Sequence, residues 1–244
     1  MNSYKTEGIV LHTIKYGDSS IIAYLYTELY GRQSYIIQGV GKSSSRRGKS
    51  SKAPLFQPMF PLELVGLSSN KMELHRVREV RLSEPLTSLP FDIAKSTIAL
   101  FMAEVIYRLV KEEQPDGNLF QYIRSSVVAL DSATEGVANF HLRFLAGLSR
   151  YLGFYPTNNY NAGDWFDIPE GCFTPIQPMH GLHFSQSDTA LLDKMLNTPL
   201  TEIGSIRLSR TERSAFLNAL LLYYGFHLDT INQVKSLKIL SEIF

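Results

Sequence analysis

The triplet Gly-Lys-Ser occurs twice in a short stretch, at residues 41–43 and 48–50. It ends the phosphate-binding loop G-x-x-x-x-G-K-[ST], whose first glycine makes the turn that lets backbone N–H groups surround the phosphates. Ile36 and Ser43 stand where that first glycine would have to be, so neither copy has it. Pro54 follows soon after, where such a loop opens a long helix. The pattern therefore argues against an ATP site.

The same stretch is strongly basic. No Asp or Glu occurs between Gly31 and Leu62, whereas six cationic residues do. They are Arg32, Lys42, Arg46, Arg47, Lys49 and Lys52. A charged run rich in serine and glycine is commonly a solvated loop. It is also typical of a segment that binds the backbone phosphates of nucleic acid, and the rest of the chain must decide between the two.

Charge is unevenly distributed along the 244 residues, although the net charge is only +1. Residues 1–80 hold 11 Lys/Arg and 6 Asp/Glu, whereas residues 81–244 hold 13 and 17. A basic first part and a mildly acidic second part predict two modules with different partners. Cys172 is the single cysteine, which excludes an intramolecular disulfide and multi-cysteine metal sites. We see no signal peptide and no membrane-length apolar run, so we expect a cytoplasmic, nucleoid-associated protein with no membrane partner.

The basic module has the pattern of a small β-barrel. Short apolar or alternating segments occur at residues 7–14, 20–27, 32–39, 58–66 and 71–80, and residues 67–71 are predicted to form a hairpin. Five short strands without a long helix favour an OB-fold, while the pattern alone leaves an SH3-like barrel open. We therefore expect an α+β protein: an OB-fold domain at residues 1–82 and a helical domain at residues 83–244.

After Pro85 the apolar period changes from 2 to about 3.6 residues, which predicts helices. We expect them near residues 98–109, 118–131, 135–152, 187–196, 210–228 and 234–243, with an irregular insertion at 155–186. Ser209 and Glu212 match a capping box at the start of the fifth helix. Residues 215–228 are apolar nearly all round, so we expect this helix to be the buried centre of its domain.

Signatures of an enzyme are weak. His180 and His183, with Asp164, Asp167, Glu170 and Cys172 upstream, contain metal-ligand residue types, but no spacing matches a known zinc motif. No G-x-S-x-G elbow is present, and nothing local marks Cys172 as a nucleophile. We expect no catalytic residues, no metal and no cofactor, with a metal-dependent hydrolase as the alternative that elemental analysis would test.

Aromatic and cationic residues supply two candidate binding surfaces. OB-folds that bind single strands stack bases on aromatic rings, and Tyr24 and Tyr26 on the second strand are the rings we select, although most barrel aromatics fill the core. Lys71 and Arg76 extend the candidate DNA-binding set on the last strand. Arg143 and Arg150 are seven apart on the third helix, so they share a face that would suit an acidic peptide with an apolar end. Ordinary arginines at a core edge would give the same pattern.

The order of these features resembles one known family. The run "EGIVLHTIKYGDSSIIAYLYTELYGRQSYIIQGVGK", then the basic stretch and "LFQPMFPLELV", is similar to the N-terminal module of the bacterial RecO recombination mediators. "FHLRFLAGLSRYLGFYP" and "FHLDTINQVKSLKIL" resemble the third and closing helices of that family. The resemblance covers nearly the whole chain and depends on the order and spacing of several weak motifs.

The resemblance implies an OB-fold followed by a helical domain, and an ATP-independent activity. Such proteins bind single- and double-stranded DNA, anneal complementary strands, engage the C-terminal tail of the single-strand-binding protein SSB, and act with RecR to let RecA load. The family's DNA contacts map here onto the basic residues named above. The SSB tail is received on the helical domain, for which our candidates are Arg108, Lys111, Arg143 and Arg150. The alternative is an OB-type RNA-binding or ribosome-associated module without a repair role.

One departure from the family concerns zinc. Many members carry four zinc-binding cysteines after the third helix, whereas residues 155–186 hold Cys172 alone. We therefore expect this segment to lack zinc and to be held by packing of Trp165, Phe166, Phe173 and Phe184.

Overall fold

The computed structural model describes residues 2–40, 51–68, 74–111 and 114–244. The chain forms two compact units, Met1–Asp131 and Ser132–Phe244. The first contains the barrel and also the first two long helices. The domain boundary after residue 82 stays a prediction, and it coincides with the end of the last barrel strand at Leu82.

Five strands in the described part of the first unit form a closed barrel. They are β1 (Asn2–Tyr16), β2 (Ser20–Thr27), β3 (Gly31–Gln38), β4 (Pro61–Ser68) and β5 (His75–Leu82). Their order around the barrel is β1-β2-β3-β5-β4, and only the β3–β5 contact is parallel. This is the five-stranded arrangement of an OB-fold, so the predicted fold class is confirmed. Residues 69–71 of the predicted 67–71 hairpin lie outside the described residues, and residues 67 and 68 end β4.

The first strand makes the closed barrel possible because it is longer than the alternating pattern predicts. Its N-terminal half, Asn2–Ile9, pairs with β4, and its C-terminal half, Gly8–Tyr16, pairs with β2. The register shifts by one residue at Leu11, a β-bulge that bends the strand between its two partners. Opposite Tyr4 stands Gly66, where a Cβ atom would lie 2.5 Å from the Tyr4 ring. Glycine at this position lets the ring cross the neighbouring strand.

Six α-helices follow in the described part of the chain. They are α1 (Ile93–Leu109), α2 (Gly117–Ser132), α3 (Phe140–Leu148), α4 (Gln186–Asn197), α5 (Arg210–His227) and α6 (Ser236–Ile243). Short 3₁₀ turns occupy Ala53–Leu55, Val137–Asn139, Leu200–Ser205 and Asp229–Gln233. The capping box of Ser209 and Glu212 is present at the start of α5, as predicted.

A polar staple, formed by Asp131, Lys95 and the backbone of residues 87–89, holds the segment between the barrel and α1. The Asp131 carboxylate accepts hydrogen bonds from the backbone N–H groups of Thr87, Ser88 and Leu89 at 2.7–3.1 Å. Burial alone would raise the pKa of Asp131, but these hydrogen bonds lower it to about 2. Lys95 is 5% exposed and donates to Ser88 Oγ and to the Asp131 carbonyl, each at 2.7 Å. The staple ties the start of α1 to the end of α2.

Two helix predictions for the second unit are wrong in detail. The third helix was expected to run to residue 152, but α3 ends at Leu148 and residues 149–153 turn back on themselves. Helix α5 is predicted to be the buried centre of its domain, but Leu222 and Phe226 are each 50% exposed. Apolar content alone cannot tell which face of a helix is covered, and among the described residues of the second unit none covers the face of these two side chains.

The insertion contains a small sheet that the pattern did not predict. Strands β6 (Trp165–Asp167) and β7 (Cys172–Thr174) pair antiparallel, and His183 forms an isolated bridge with Asp167. Phe166 is fully buried, with ring centroids of Phe173 and Phe184 at 5.3 and 5.0 Å. The Tyr223 ring of α5 lies 5.1 Å from Phe166. This aromatic cluster attaches the insertion to the helices.

A buried histidine should make the second unit sensitive to acid. Burial, reinforced by the charge of Arg213, lowers the pKa of His141 to about 3. The contribution of neutral His141 to stability is therefore complete above the unfolded pKa of about 6.5 and is lost as the pH falls toward 3. In this range the histidine binds a proton in the unfolded chain but stays neutral in the folded protein. We expect this group to cost about 2 kcal/mol at pH 5 relative to pH 8.

Urea unfolding at pH 8 and pH 5 measures this effect. His141→Phe should remove about that much of the pH dependence. Equal pH dependence in the wild type and His141→Phe would contradict the assignment.

Candidate nucleic-acid interface

The basic segment, defined as residues 41–50, joins β3 to the 3₁₀ turn before β4. Of the predicted DNA-binding residues, Lys42, Arg46, Arg47, Lys49 and Lys71 lie outside the described residues. The residues that flank the basic segment are close together, because Ser51 Oγ donates to the Val40 carbonyl at 3.3 Å. The backbone N–H groups of Gly39 and Val40 donate to the Ser19 carbonyl at 3.0 and 3.1 Å. The basic segment therefore leaves the barrel beside the turn that joins β1 to β2.

That turn carries exposed side chains suited to nucleic acid. We define the β1–β2 turn surface by Lys15 and Tyr16. Both residues are exposed, and Tyr16 is 53% exposed. Gly17 has a φ of +65°, which lets the chain reverse directly after Tyr16. An exposed ring next to a cation can stack on a base while the cation meets a phosphate. The sequence pattern alone does not single out Tyr16, although its place before a Gly-Asp turn is a usable signal.

Tyr24 and Arg32 meet at the seam between the barrel and α1. Arg32 Nη1 donates to the carbonyls of Tyr107 and Val110 at 2.9 and 3.3 Å, so it caps the C-terminal end of α1. Its guanidinium lies 4.8 Å from the centre of the Tyr107 ring and 6.0 Å from that of Tyr24. His12 stacks against Tyr24 at 6.1 Å. Both predicted residues are half-buried, and both have a structural contact that a DNA strand would have to share.

Tyr26 is fully buried, which corrects its selection as a stacking ring. It is 1% exposed, and its hydroxyl accepts a hydrogen bond from the backbone N–H of Asp116 at 3.3 Å. Alternation along β2 does not separate Tyr26 from Tyr24, because Ala23, Leu25 and Tyr26 are all buried. The outer wall of this strand is covered within the first unit, and a ring enclosed in this way cannot stack on a base.

A second basic surface is formed by β1, β4 and β5 of the barrel wall. We define the β1–β4–β5 groove as a depression of about 700 Å³ lined by nine residues. They are Lys5, Lys52, Glu63, Leu64, Val65, Arg78, Glu79, Val80 and Arg81. Only Lys52 of these was predicted to contact DNA. The groove therefore brings a residue next to the basic segment together with three cations from β1 and β5.

Glu63 lies at the floor of the groove between two cations. Lys5 Nζ contacts one carboxylate oxygen, and Arg81 donates to the other from Nε at 3.0 Å and Nη2 at 2.5 Å. These hydrogen bonds, first from Lys5 and then from Arg81, lower the pKa of Glu63. The pairing follows from strand register, because Glu63 stands opposite Arg81, and Lys5 stands opposite Val65 on the same face of β4.

A β-bulge brings Arg78 to the outer surface. The partner of Val65 is Glu79 and the partner of Gly66 is Val77, so Arg78 is an extra residue in β5. Strict alternation would turn Arg78 inward, but Arg78 and Glu79 are consecutive exposed residues, with side chains 64% and 68% accessible. Arg76, also predicted to contact DNA, is exposed near the start of the same strand.

The predicted contacts for an acidic peptide tail are divided between the two units, two in each. Arg108 is paired with Glu104 at 2.7 Å in the first unit, where Lys111 is exposed. In the second unit Arg143 Nε donates to the Thr198 carbonyl at 2.5 Å. Arg150 lies beyond the end of α3, with its guanidinium 4.3 Å from the centre of the Tyr155 ring. The expectation that Arg143 and Arg150 share a helix face is wrong, because the helix ends between them.

The insertion holds the remaining candidate residues. His180 Nε2 lies 3.1 Å from Asp167 Oδ2, and His183 Nε2 lies 3.1 Å from Gln177 Nε2. Burial raises the pKa of the Cys172 thiol. In the described ranges no three His, Cys, Asp or Glu side chains come together in a group that could hold a metal ion. None of the described helices is long and apolar enough to cross a bilayer.

Comparison with known proteins gives matches to both parts of the chain. The family model described as "Recombination protein O N terminal" matches residues 1–86, and "Recombination protein O C terminal" matches residues 90–238. Relatives named DNA repair protein RecO from Bacteroides fragilis and Phocaeicola vulgatus are 39% and 37% identical over 242 residues, 98% of each chain. One from Flavobacterium psychrophilum is 32% identical over 240 residues, also 98% of each chain. With an OB-fold barrel followed by helices and matches over nearly its full length, the chain belongs to the recombination protein O family.

Proposed function

We propose that this chain is a DNA repair protein that acts as a non-enzymatic recombination mediator. It binds single- and double-stranded DNA and anneals complementary strands without ATP. The observation that carries the proposal is the position of the basic segment, whose flanking residues Val40 and Ser51 are joined beside the β1–β2 turn surface. The names of the relatives, DNA repair protein RecO, support the repair role.

The mechanism we propose is electrostatic. Two strands brought together for pairing repel each other through their phosphates, and cations placed between them reduce that repulsion. The basic segment contributes Lys42, Arg46, Arg47 and Lys49, and Lys52 follows at its C-terminal side. Counterion release from the strands adds a favourable entropy that depends on salt. No step needs a nucleophile, a metal or a cofactor.

The proposed partners are SSB, RecR and, indirectly, RecA. An acidic tail with an apolar end would need an accessible cation beside an apolar surface. Lys111 and Arg150 are exposed, whereas Arg108 and Arg143 already have partners. We therefore place more weight on Lys111 and Arg150 for the SSB-tail contact, and expect Arg150→Glu to weaken binding of a tail peptide more than Arg143→Gln does.

Annealing of SSB-coated complementary strands tests the proposal. We expect the protein to anneal them without ATP, and to lose most of this activity when SSB lacks its tail. Competition of single-stranded RNA against single-stranded DNA of the same sequence separates the repair role from an RNA-binding module. Strong preference for RNA together with no annealing of DNA would contradict the proposed function.

A further inference from the structure

We propose that the β1–β4–β5 groove holds the sugar–phosphate backbone of a second DNA strand, while the basic segment and the β1–β2 turn surface hold the first. This inference deepens the proposed function and rests on it. It assigns a separate site to each of the two strands that must meet during annealing.

The two sites lie on different stretches of the barrel wall. The groove uses the half of β1 that pairs with β4, whereas the turn surface lies at the far end of the half that pairs with β2. The basic segment begins next to the turn surface at Val40 and ends next to Lys52, which lines the groove. The described residues that flank this segment therefore connect the two proposed sites.

The groove has hydrogen-bond donors in place for phosphate oxygens. The Glu63 side chain is 18% exposed, whereas those of Lys5 and Arg81 are 66% and 74% exposed. Glu63 accepts hydrogen bonds from the Lys5 ammonium and from two N–H groups of Arg81. The remaining donors of both cations can therefore bind a ligand. The carboxylate thus fixes both side chains in position before a phosphate arrives, which lowers the entropy cost of binding.

The groove keeps a net positive charge although it contains the Glu63 carboxylate, which is paired with Lys5 and Arg81. Lys52 has no ion pair among the described residues, and Arg78 has only a 3.4 Å contact with the exposed Glu79. Four cations and two carboxylates therefore line the groove. The bulge that turns Arg78 outward adds the fourth cation, and a strand without it would present Glu79 alone at that point.

The lining favours a backbone over bases, a nucleotide or an apolar peptide. None of the nine lining residues is aromatic, so a base has no ring on which to stack. The groove crosses three strands, about 10 Å from β1 to β5 at the usual strand spacing. A strand held only through its phosphates presents its bases outward, free to pair with the strand on the other site. This is the arrangement that annealing requires.

The test measures first-strand and second-strand binding separately. A groove variant combines Lys5→Gln, Glu63→Gln and Arg81→Gln, which removes the whole ion-pair cluster and lowers the net charge by one. Arg207→Gln is the matched control, because Arg207 is in the second unit, its side chain is 87% exposed and its loss changes the charge equally. Circular dichroism and thermal melting verify that each variant is folded. Arg78→Gln alone, at an exposed bulge, is a milder second variant.

Each protein is titrated with labelled dT oligonucleotides of about 12 nucleotides, near the site size of one OB-fold. It is then saturated with unlabelled dT and titrated with labelled dC, which cannot pair with dT. We expect the groove variant to bind the first strand within about threefold of the control, and to lose about tenfold in second-strand affinity and annealing rate. Arg78→Gln should show the same pattern at about threefold.

Three results would overturn the inference. The groove variant could match Arg207→Gln in second-strand binding and annealing. It could lose first-strand binding as strongly as second-strand binding, which would make the groove part of a single site. The wild type could fail to bind a second strand at all. In each case normal first-strand binding and annealing by the wild type would leave the proposed function intact, whereas absence of both would reject that function itself.

Discussion

Replacing Arg46, Arg47 and Lys49 with Glu should weaken binding of single-stranded DNA by about 10- to 100-fold at low salt and slow annealing by a similar factor. Each change removes one phosphate contact and adds a charge that repels the backbone. These three residues belong to a stretch without any acid from Gly31 to Leu62, and the flanking residues Val40 and Ser51 attach that stretch to the barrel. Fluorescence anisotropy and a strand-annealing assay measure the two effects.

Salt dependence distinguishes lost phosphate contacts from a general loss of affinity. If the protein neutralises about five phosphates on a single strand, log K against log salt should have a slope near −3.5. The triple variant should have a slope near −1.4, because each lost contact removes about 0.7. A control with Lys194→Glu, Arg207→Glu and Lys238→Glu changes the net charge equally at exposed sites of the second unit.

The control defines what would contradict the assignment. If it weakens DNA binding as much as the basic-segment variant does, net charge and not position is responsible. If the basic-segment variant keeps the affinity and slope of the wild type at moderate salt, the basic segment is not the DNA-binding element. Thermal melting should be unchanged in both variants, because exposed charges contribute little to stability.

The second large effect concerns the insertion. Phe166→Ala should destabilise the second unit by about 3–5 kcal/mol and lower its melting temperature by more than about 10 °C. Phe166 is fully buried, and its ring contacts Phe173, Phe184 and Tyr223. Alanine would leave a cavity between β6 and α5 that the neighbouring side chains cannot fill. Phe166→Leu should recover part of the loss, because it refills most of the volume.

Calorimetry and chelator titration together test whether packing holds the insertion. Ile176→Ala, at an insertion residue that is 75% exposed, should change stability by less than about 0.5 kcal/mol. EDTA should not change the melting temperature of the wild type. A drop in melting temperature with EDTA, restored by zinc, would show that a metal and not the aromatic cluster stabilises the insertion.

The barrel strands were readable from the sequence where the residue pattern is local. The alternation in β2 and the turn after Tyr16 depend on neighbours within a few residues, and the structure places β2 at the predicted residues 20–27. The capping box of Ser209 and Glu212 is local in the same way. Such features depend on backbone geometry over one turn, so no distant contact is needed to recognise them.

Burial on one face was less predictable, because it depends on which element covers that face. Tyr24 and Tyr26 are indistinguishable by alternation, but one is half-buried at the α1 seam and the other is enclosed. Arg32 reads as a DNA contact from its charge, yet it caps a helix that ends 77 residues later, at Leu109. Leu222 is apolar and still half exposed, because no described residue of the second unit covers that side of α5.

A five-stranded barrel followed by helices, the acid-free basic stretch within the barrel module and the likeness to a recombination family could all be predicted from the sequence. Each of these is a property of composition, period or order along the chain. The groove that Lys5, Lys52, Arg78 and Arg81 line around Glu63 is visible only after the strands are paired. Strand pairing and one bulge bring those residues together across more than 70 positions, and pairing between distant strands leaves no local pattern in the sequence.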